Sequence, residues 1–366
     1  MYTVDNSQNH DECMGLLADA GIYLALDVNS PDYSINRADP AASYNDVYLQ
    51  SVFATIDAFA KYNNTLLFFS GNEVINADNN TNCAPYVKAT TRDMKQYINS
   101  RGYRAIPVGY SAADVESNRF EMASYMNCGT DDQRSDFFAF NDYSWCDPSS
   151  YQQSGWDQKV EQYKDYSIPL FLSEYGCITN KRQFQEVASL YGTQMTPVYS
   201  GGLVYEYSEE GSGYGLVEIS GTDITEKPDF AALSKAYNAA KPSGDGGYKP
   251  DGAPSKCPAQ SNTWEVSDFS DDELPAIPQG AVKYMSKGAG KGPGLNGPGS
   301  QNAGGTSTGT ASPGSASSTT GSSSSGSASA SEGAASSLMR EGGSNLSLFV
   351  CGAVVICSTL MGALAL

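Results

Sequence analysis

The sequence is poor in histidine and in positive charge, and each shortage argues against a class of function. Its 366 residues hold one histidine, and 22 lysines and arginines stand against 41 aspartates and glutamates, for a net charge of −19. So acidic a chain lacks the basic surface that binds nucleic acid. With one histidine and no Cys-x-x-Cys pair, we expect neither a metal site nor a cofactor.

Tyrosine is abundant by comparison, with 24 copies against 13 phenylalanines and 3 tryptophans. Tyrosine offers a flat apolar ring and a hydroxyl in one side chain, a combination that suits contacts with carbohydrate. The composition therefore favours a neutral, sugar-like substrate.

The C-terminal part of the chain differs sharply in composition from the rest. From Gly288 to Ser344 it consists almost entirely of glycine, serine, threonine, alanine and proline. Such a segment buries too little apolar surface to offset its chain entropy, so we predict a disordered stalk over residues 288–345. The folded part then divides into a main domain, 1–245, and a following segment, 246–287.

The last 21 residues, Leu346 to Leu366, carry no charge. A run of small residues and a polar spacer precede them, which is the order of a GPI-attachment signal. We predict Gly333 as the acceptor, with Ser331 and Ala334 as alternatives, and an ordinary tail anchor as the other interpretation of the run. The protein would then lie on the outer face of the plasma membrane. That location assumes a signal peptide, which this sequence does not include.

Two sequons and the cysteines also indicate a secretory, oxidising setting. The sequons place candidate N-glycosylation sites at Asn63 and Asn79. In such a compartment cysteines form disulfides. The folded part holds six cysteines: Cys13, Cys83, Cys128, Cys146, Cys177 and Cys257.

Short apolar runs alternate with helical patterns along the main domain, which predicts a parallel sheet of (β/α)₈ type. No glycine-rich nucleotide fingerprint follows any strand, which argues against a doubly wound fold. We predict seven strands, at Tyr2–Val4, Ile22–Asp27, Leu66–Phe69, Ile106–Tyr110, Phe137–Asn141, Leu170–Glu174 and Gly202–Tyr207. The helices between them are predicted at Asp11–Ala20, Ala42–Tyr62, Ala84–Arg101, Asn118–Met126, Gln152–Tyr166, Arg182–Tyr191 and Asp229–Ala240.

Polar side chains gather where these strands end, and two of them are glutamates. Glu73 ends the run "LLFFSGNE" and Glu174 ends "IPLFLSE". In a (β/α)₈ barrel the carboxyl ends of the strands carry the active site. Two facing carboxylates are the apparatus of glycoside cleavage. Asn72 could hold a sugar hydroxyl, and Tyr143 could bind a carboxylate or form a sugar platform.

These motifs resemble those of a known family. The segments "FFSGNEV", "FFAFNDYSWC", "LFLSEYGC" and "YSGGLVYEYS" look like those of the fungal β-1,3-glucanosyltransferases of the Gas/Gel/Phr type, glycoside hydrolase family 72, and most like its Gel branch. The resemblance runs from Met1 to about Lys287. It implies a retaining enzyme that cleaves β-1,3-glucan and passes the fragment to another β-1,3-glucan chain.

The resemblance also implies roles for individual residues. Glu73 would be the acid/base and Glu174 the nucleophile, and Asn72 would contact the sugar beside the broken bond. The substrate cleft would further contain Tyr2, Asp27, Tyr143, Tyr205 and Tyr214. The implied disulfides are Cys146–Cys177 and Cys128–Cys257.

The chain also departs from the family pattern, in which a further segment with strand one and helix one comes first. We therefore expect an N-terminally truncated barrel that is inactive as it stands. Cys13 and Cys83 either stay unpaired or pair with each other. The residues leave open two rivals to a monomeric transferase: a hydrolytic endo-β-1,3-glucanase and an inactive, wall-anchored protein.

Overall fold

The computed structural model describes residues 3–242, 252–267, 274–307 and 309–311. Within these residues, six parallel strands form one sheet in sequential order, each strand pairing with the next along the chain. This is the strand order of a (β/α)₈ barrel. The strands are β1 (Leu24–Asp27), β2 (Thr65–Asn72), β3 (Val108–Ala113), β4 (Phe137–Asp142), β5 (Leu170–Tyr175) and β6 (Tyr199–Val204).

Helices follow the strands and cover the sheet. They are α1 (Asp11–Asp19), α2 (Pro40–Ser43), α3 (Asp46–Phe59), α4 (Ala84–Ser100), α5 (Arg119–Met126), α6 (Trp156–Tyr163), α7 (Glu186–Leu190), α8 (Pro228–Ala239) and α9 (Val282–Lys287). A 3₁₀ segment, Asp78–Cys83, precedes α4. Two short antiparallel pairs complete the description: β7 (Val217–Ser220) with β8 (Asp223–Glu226), and β9 (Leu274–Pro275) with β10 (Thr310–Ala311). Among the described residues, no helix is long and apolar enough to cross a bilayer.

The core lies between the sheet and its helices. All six residues of β4 are buried, as expected for a parallel strand covered on both faces. On the helix side, Phe53 of α3 stacks on Tyr97 of α4 with ring centroids 4.2 Å apart. The apolar runs of the sequence therefore form strands whose side chains are buried, because the helices cover the outer face of the sheet.

Two predictions about individual elements are wrong. Thr3 and Val4 lie in irregular structure, so they do not extend a first strand, and Tyr2 lies outside the described residues. The single helix predicted over Ala42–Tyr62 is divided instead, because the side chain of Asn45 accepts the N–H of Tyr48 at 2.9 Å and starts α3 afresh. An asparagine at this position satisfies an N–H that the helix itself leaves unpaired.

The predicted start of the disordered stalk is also wrong. Residues 288–307, here called the C-terminal strap, lie against the main domain. Ser300 O accepts Asn45 Nδ2 at 2.6 Å, Gly294 N donates to Asn6 Oδ1 at 2.9 Å, and Ala289 N donates to the Tyr97 hydroxyl at 2.9 Å. A segment without an apolar core is thus held through its backbone. Residues 312–366, including Gly333 and the run from Leu346, lie outside the described residues.

Candidate active site

The polar residues predicted at strand ends meet at one edge of the sheet. Asn72, the last residue of β2, lies opposite Ser111 of β3 in the ladder. Asn141 of β4 lies opposite Glu174 of β5, beyond a register shift that follows Phe140. Irregular pairing of this kind redirects side chains and is common beside active sites. The two carboxylate-bearing strand ends are therefore connected across β3 and β4.

Asn141 links the two halves of the site. Its Nδ2 donates to Glu73 Oε1 at 2.8 Å, while its backbone faces Glu174. The Ser173 hydroxyl donates to Asn141 Oδ1 at 2.8 Å, which turns the amide nitrogen towards Glu73. The carboxylate of Glu73 is thus oriented by a side chain 68 positions further along the chain.

Asn72 belongs to the same network. Its Oδ1 accepts the Ser111 hydroxyl at 2.7 Å, and the hydroxyls of Ser111 and Ser173 lie 2.7 Å apart. Sequence reasoning did not single out these serines as site residues. The available signal was a polar residue beside the strand-end residues in otherwise apolar strands.

The backbone of Glu73 is held in an uncommon conformation. Its φ is 48°, in the left-handed region, where a residue other than glycine carries a cost of about 1–3 kcal/mol. Its N–H donates to Ser111 O at 2.9 Å. The guanidinium of Arg37 donates to the carbonyl oxygens of both Glu73 and Val74, the latter at 2.8 Å. Arg37, which sequence reasoning missed, therefore helps to hold the strained turn that aims the glutamate.

Three predicted cleft tyrosines come together beside Glu174. The Tyr143 hydroxyl donates to Glu174 Oε2. The rings of Tyr143 and Tyr214 meet edge to face at 5.5 Å, and those of Tyr205 and Tyr214 at 5.3 Å. We call Tyr143, Tyr205 and Tyr214 the tyrosine wall. Burial first, and then the carboxylate of Glu206 to which its hydroxyl is hydrogen-bonded, raise the pKa of Tyr205, and the charge of Glu174 adds a smaller effect.

Asp27 lies at the predicted edge but is enclosed. Asp27 is the last residue of β1 and is only 4% exposed. Its Oδ1 accepts hydrogen bonds from Asn29 N at 2.9 Å and from Asn29 Nδ2 at 2.6 Å. Burial raises its pKa to about 7, although the hydrogen bonds from Asn29 oppose the shift. This carboxyl is therefore a buried group below the rim. The other predicted contact from this side, Tyr2, lies outside the described residues.

One disulfide braces the loops around the site, and a second ties the segment that precedes β4 to the segment that follows α8. Cys146 joins Cys177, which links the segments after β4 and β5, and Cys128 joins Cys257 across 129 positions. These are the pairings that the resemblance implies. Cys83 is a buried free thiol, which confirms that it stays unpaired, whereas Cys13 takes part in a disulfide, so both the suggested Cys13–Cys83 pair and an unpaired Cys13 are wrong.

The sequon asparagines Asn63 and Asn79 are both exposed. Within the described residues, no three side chains of histidine, cysteine, aspartate or glutamate come together as metal ligands. What the site offers chemically is a pair of carboxylates with amide and hydroxyl donors around them. Such a pair can protonate a leaving oxygen from one side and attack a sugar carbon from the other.

Comparison with known proteins gives a consistent result. Residues 1–241 match the glycoside hydrolase family 72 model, described as glucanosyltransferase. The chain is 68% identical over 297 residues to the 1,3-beta-glucanosyltransferase gel1 of Aspergillus fumigatus, covering 81% of this chain and 65% of that protein. It is 54% identical over 295 residues to the 1,3-beta-glucanosyltransferase GAS5 of Saccharomyces cerevisiae, covering 79% and 60%. The chain thus spans less than two thirds of the length of these relatives.

A solved structure gives the same indication for the fold. Gas2p of Saccharomyces cerevisiae in complex with laminaripentaose superposes with a TM-score of 0.71 at 38% identity, covering 76% of this chain and 63% of that one. Together with the family match, this likeness confirms the predicted (β/α)₈-type fold.

Proposed function

Because this chain belongs to the glucanosyltransferase family of glycoside hydrolase family 72, we propose that it cleaves β-1,3-glucan with retention of configuration and joins the fragment to a second β-1,3-glucan chain. The observation that carries the proposal is the position of Asn141, which binds the carboxylate of Glu73 and lies opposite Glu174 in the sheet. The named relatives are 1,3-beta-glucanosyltransferases, and the similar Gas2p structures hold laminari-oligosaccharides.

The reaction proceeds in two displacements. In the first, a carboxylate oxygen of Glu174 attacks the anomeric carbon while the carboxylic acid of Glu73 gives its proton to the departing glycosidic oxygen. In the second, Glu73 takes the proton of an acceptor hydroxyl, which attacks the same carbon and displaces Glu174. Two inversions leave the new bond in the β configuration.

The surrounding residues support this chemistry in distinct ways. Asn141 and the Arg37-held backbone orient Glu73, and the Tyr143 hydroxyl orients Glu174. We assign Asn72 to a hydroxyl of the sugar beside the broken bond, and the tyrosine wall to stacking and hydrogen bonds with the glucan. A retaining pair requires the two carboxyl groups to lie about 5–5.5 Å apart.

Product sizes from reduced laminarin oligosaccharides test the reaction. Products longer than the donor mean transfer, exclusively shorter products mean hydrolysis, and the absence of products means that the chain is inactive as it stands. We expect Glu73→Gln to lower kcat roughly 10²–10⁴-fold, because general acid catalysis is lost. Glu174→Gln should lose at least as much. Glu116→Gln, an exposed glutamate after β3, is the matched control and should keep full activity.

Azide separates the two roles. With an activated β-glucoside donor, Glu174→Ala plus azide should yield the α-glycosyl azide, because azide attacks the substrate directly from the face the nucleophile has vacated. Glu73→Ala plus azide should yield the β-glycosyl azide, because azide intercepts the glycosyl-enzyme. Exchanged stereochemistry would reverse our assignment, and wild-type activity in either alanine variant would end it.

We also propose that the protein acts as a monomer on the cell surface, attached through a GPI anchor at Gly333. The proposal rests on the small residues, spacer and apolar run of the sequence and on the fungal relatives. Phosphatidylinositol-specific phospholipase C should release the protein from membranes. Recovery of the peptide Leu346–Leu366 in the mature protein would instead show a tail anchor.

A further inference from the structure

A buried arginine behind the tyrosine wall binds the backbone of two of its members. Arg182 is 2% exposed. Its Nη1 donates to Tyr205 O at 3.0 Å and its Nη2 to Tyr214 O at 2.7 Å. Its Nε donates to Asp229 Oδ2 at 2.7 Å. One planar guanidinium therefore joins two points of the wall to Asp229, which lies in the first turn of α8.

The tyrosines need such a support because the chain between them has little regular structure. The connecting segment, "EYSEEGSGY", contains three glutamates and two glycines with positive φ, at Gly211 and Gly213. Glu209 closes this loop upon itself by accepting the N–H groups of both glycines at 2.9 Å. The loop is thus organised internally, and Arg182 ties it to the helix layer of the barrel.

The position of the wall matters for the nucleophile. The Tyr214 ring contacts Tyr143, whose hydroxyl is bonded to Glu174, and contacts Tyr205 on its other side. A shift of the Tyr214 backbone would therefore move the sugar platform relative to the attacking carboxylate. Arginine suits this task better than lysine, because its flat fork holds three acceptors in fixed directions.

We infer that Arg182 is a positioning residue for glucan binding, which acts by holding the backbone of Tyr205 and Tyr214 so that their rings form one platform beside Glu174. This inference rests on the proposed function, since it assumes that the tyrosine wall binds the glucan. It makes no use of Arg182 as a group that touches substrate, because the side chain is buried behind the wall.

The test measures binding of laminaripentaose by calorimetry to protein that carries Glu73→Gln, so that turnover does not interfere. Arg182→Lys keeps the charge and loses the fork, and we expect it to weaken binding about tenfold. In a Tyr214→Ala background the same change should cost less than twofold, because the platform it supports is already broken. Non-additivity of this kind is the mark of residues that act together.

Arg92→Lys is the matched control. Arg92 is also buried, pairs with Asp93 and donates to a backbone carbonyl, that of Pro275, but it lies among α4 and the C-terminal segment. If Arg182→Lys weakened binding only by loosening the fold, Arg92→Lys would weaken it similarly. Circular dichroism at the titration temperature confirms that each variant is folded.

The outcomes separate the inference from the proposed function. Failure of the Glu73→Gln parent to bind laminaripentaose, together with no elongation by the wild type, would refute the function. Elongation by the wild type with an equal loss from Arg182→Lys in both backgrounds, or with no loss at all, would refute the positioning role alone.

Discussion

An alanine at Gly297 tests whether the C-terminal strap packs on the domain. A Cβ added there would lie 2.0 Å from the Tyr33 hydroxyl and 2.9 Å from its Cζ, and Tyr33 is only 1% exposed. Overpacking of this kind costs about 1–3 kcal/mol, and displacing Tyr33 also weakens the hydrogen bond that its hydroxyl accepts from Gly299 N, a further loss of about 1 kcal/mol. Alanine also has less conformational freedom than glycine in the unfolded chain, which stabilises the folded state by about 0.4–1 kcal/mol. The expected net loss is about 2 kcal/mol.

Gly305→Ala is the control within the same strap. Nothing lies within 4 Å of a Cβ at Gly305, and its φ is outside the left-handed region. Gly305→Ala and Gly297→Ala restrict the unfolded chain equally, but Gly305→Ala creates no clash. Gly305→Ala should therefore leave the stability unchanged or raise it slightly. Guanidinium titrations followed by circular dichroism compare the midpoints at constant slope.

A third variant assigns the loss to the contact itself. Tyr33→Phe removes the 2.0 Å clash but leaves the one at Cζ, so Gly297→Ala should cost less in that background. A strap that does not pack predicts the same small change for Gly297→Ala and Gly305→Ala, and that result would refute the reasoning.

Three further predictions concern the site and its surroundings. Burial raises the pKa of Asp27 to about 7, so the folded state holds this proton more tightly than the unfolded one. The resulting stability, up to about 4 kcal/mol, is present below pH 4 and is lost as the pH rises through 7; Asp27→Asn should flatten that part of the unfolding curve, and an unchanged slope would contradict it. Arg37→Gln should lower kcat about 100-fold with little change in KM, because the Glu73 carbonyl oxygen loses the hydrogen bond that holds this residue in place; an unaffected kcat would exclude this role. Serine at Cys128 and Cys257 should destabilise the protein by about 5 kcal/mol on the chain-entropy model, and unfolding that matches the wild type would show that this bridge contributes nothing.

The sequence by itself determined most of the element types and predicted that two glutamates lie at strand ends on one rim of the sheet. Apolar runs of strand length that alternate with helical patterns leave few arrangements other than a parallel sheet. In such a sheet every strand ends at the same edge, so glutamates that end two runs must lie at one rim. The positions of Glu73 and Glu174 were therefore predictable from local pattern, and the family motifs added their roles as hypotheses.

Only the tertiary structure decided what holds these groups in place. Asn141 reaches Glu73 across 68 positions, and Arg182 reaches Tyr205 and Tyr214 across 23 and 32. No periodic pattern in the sequence predicts such a contact, because it depends on which loops the folded sheet brings together. The C-terminal strap shows the same limit of prediction from sequence. Its composition predicts disorder because it has no apolar core of its own, yet its backbone is bound by buried groups such as Asn45, which the rest of the chain supplies only after it has folded.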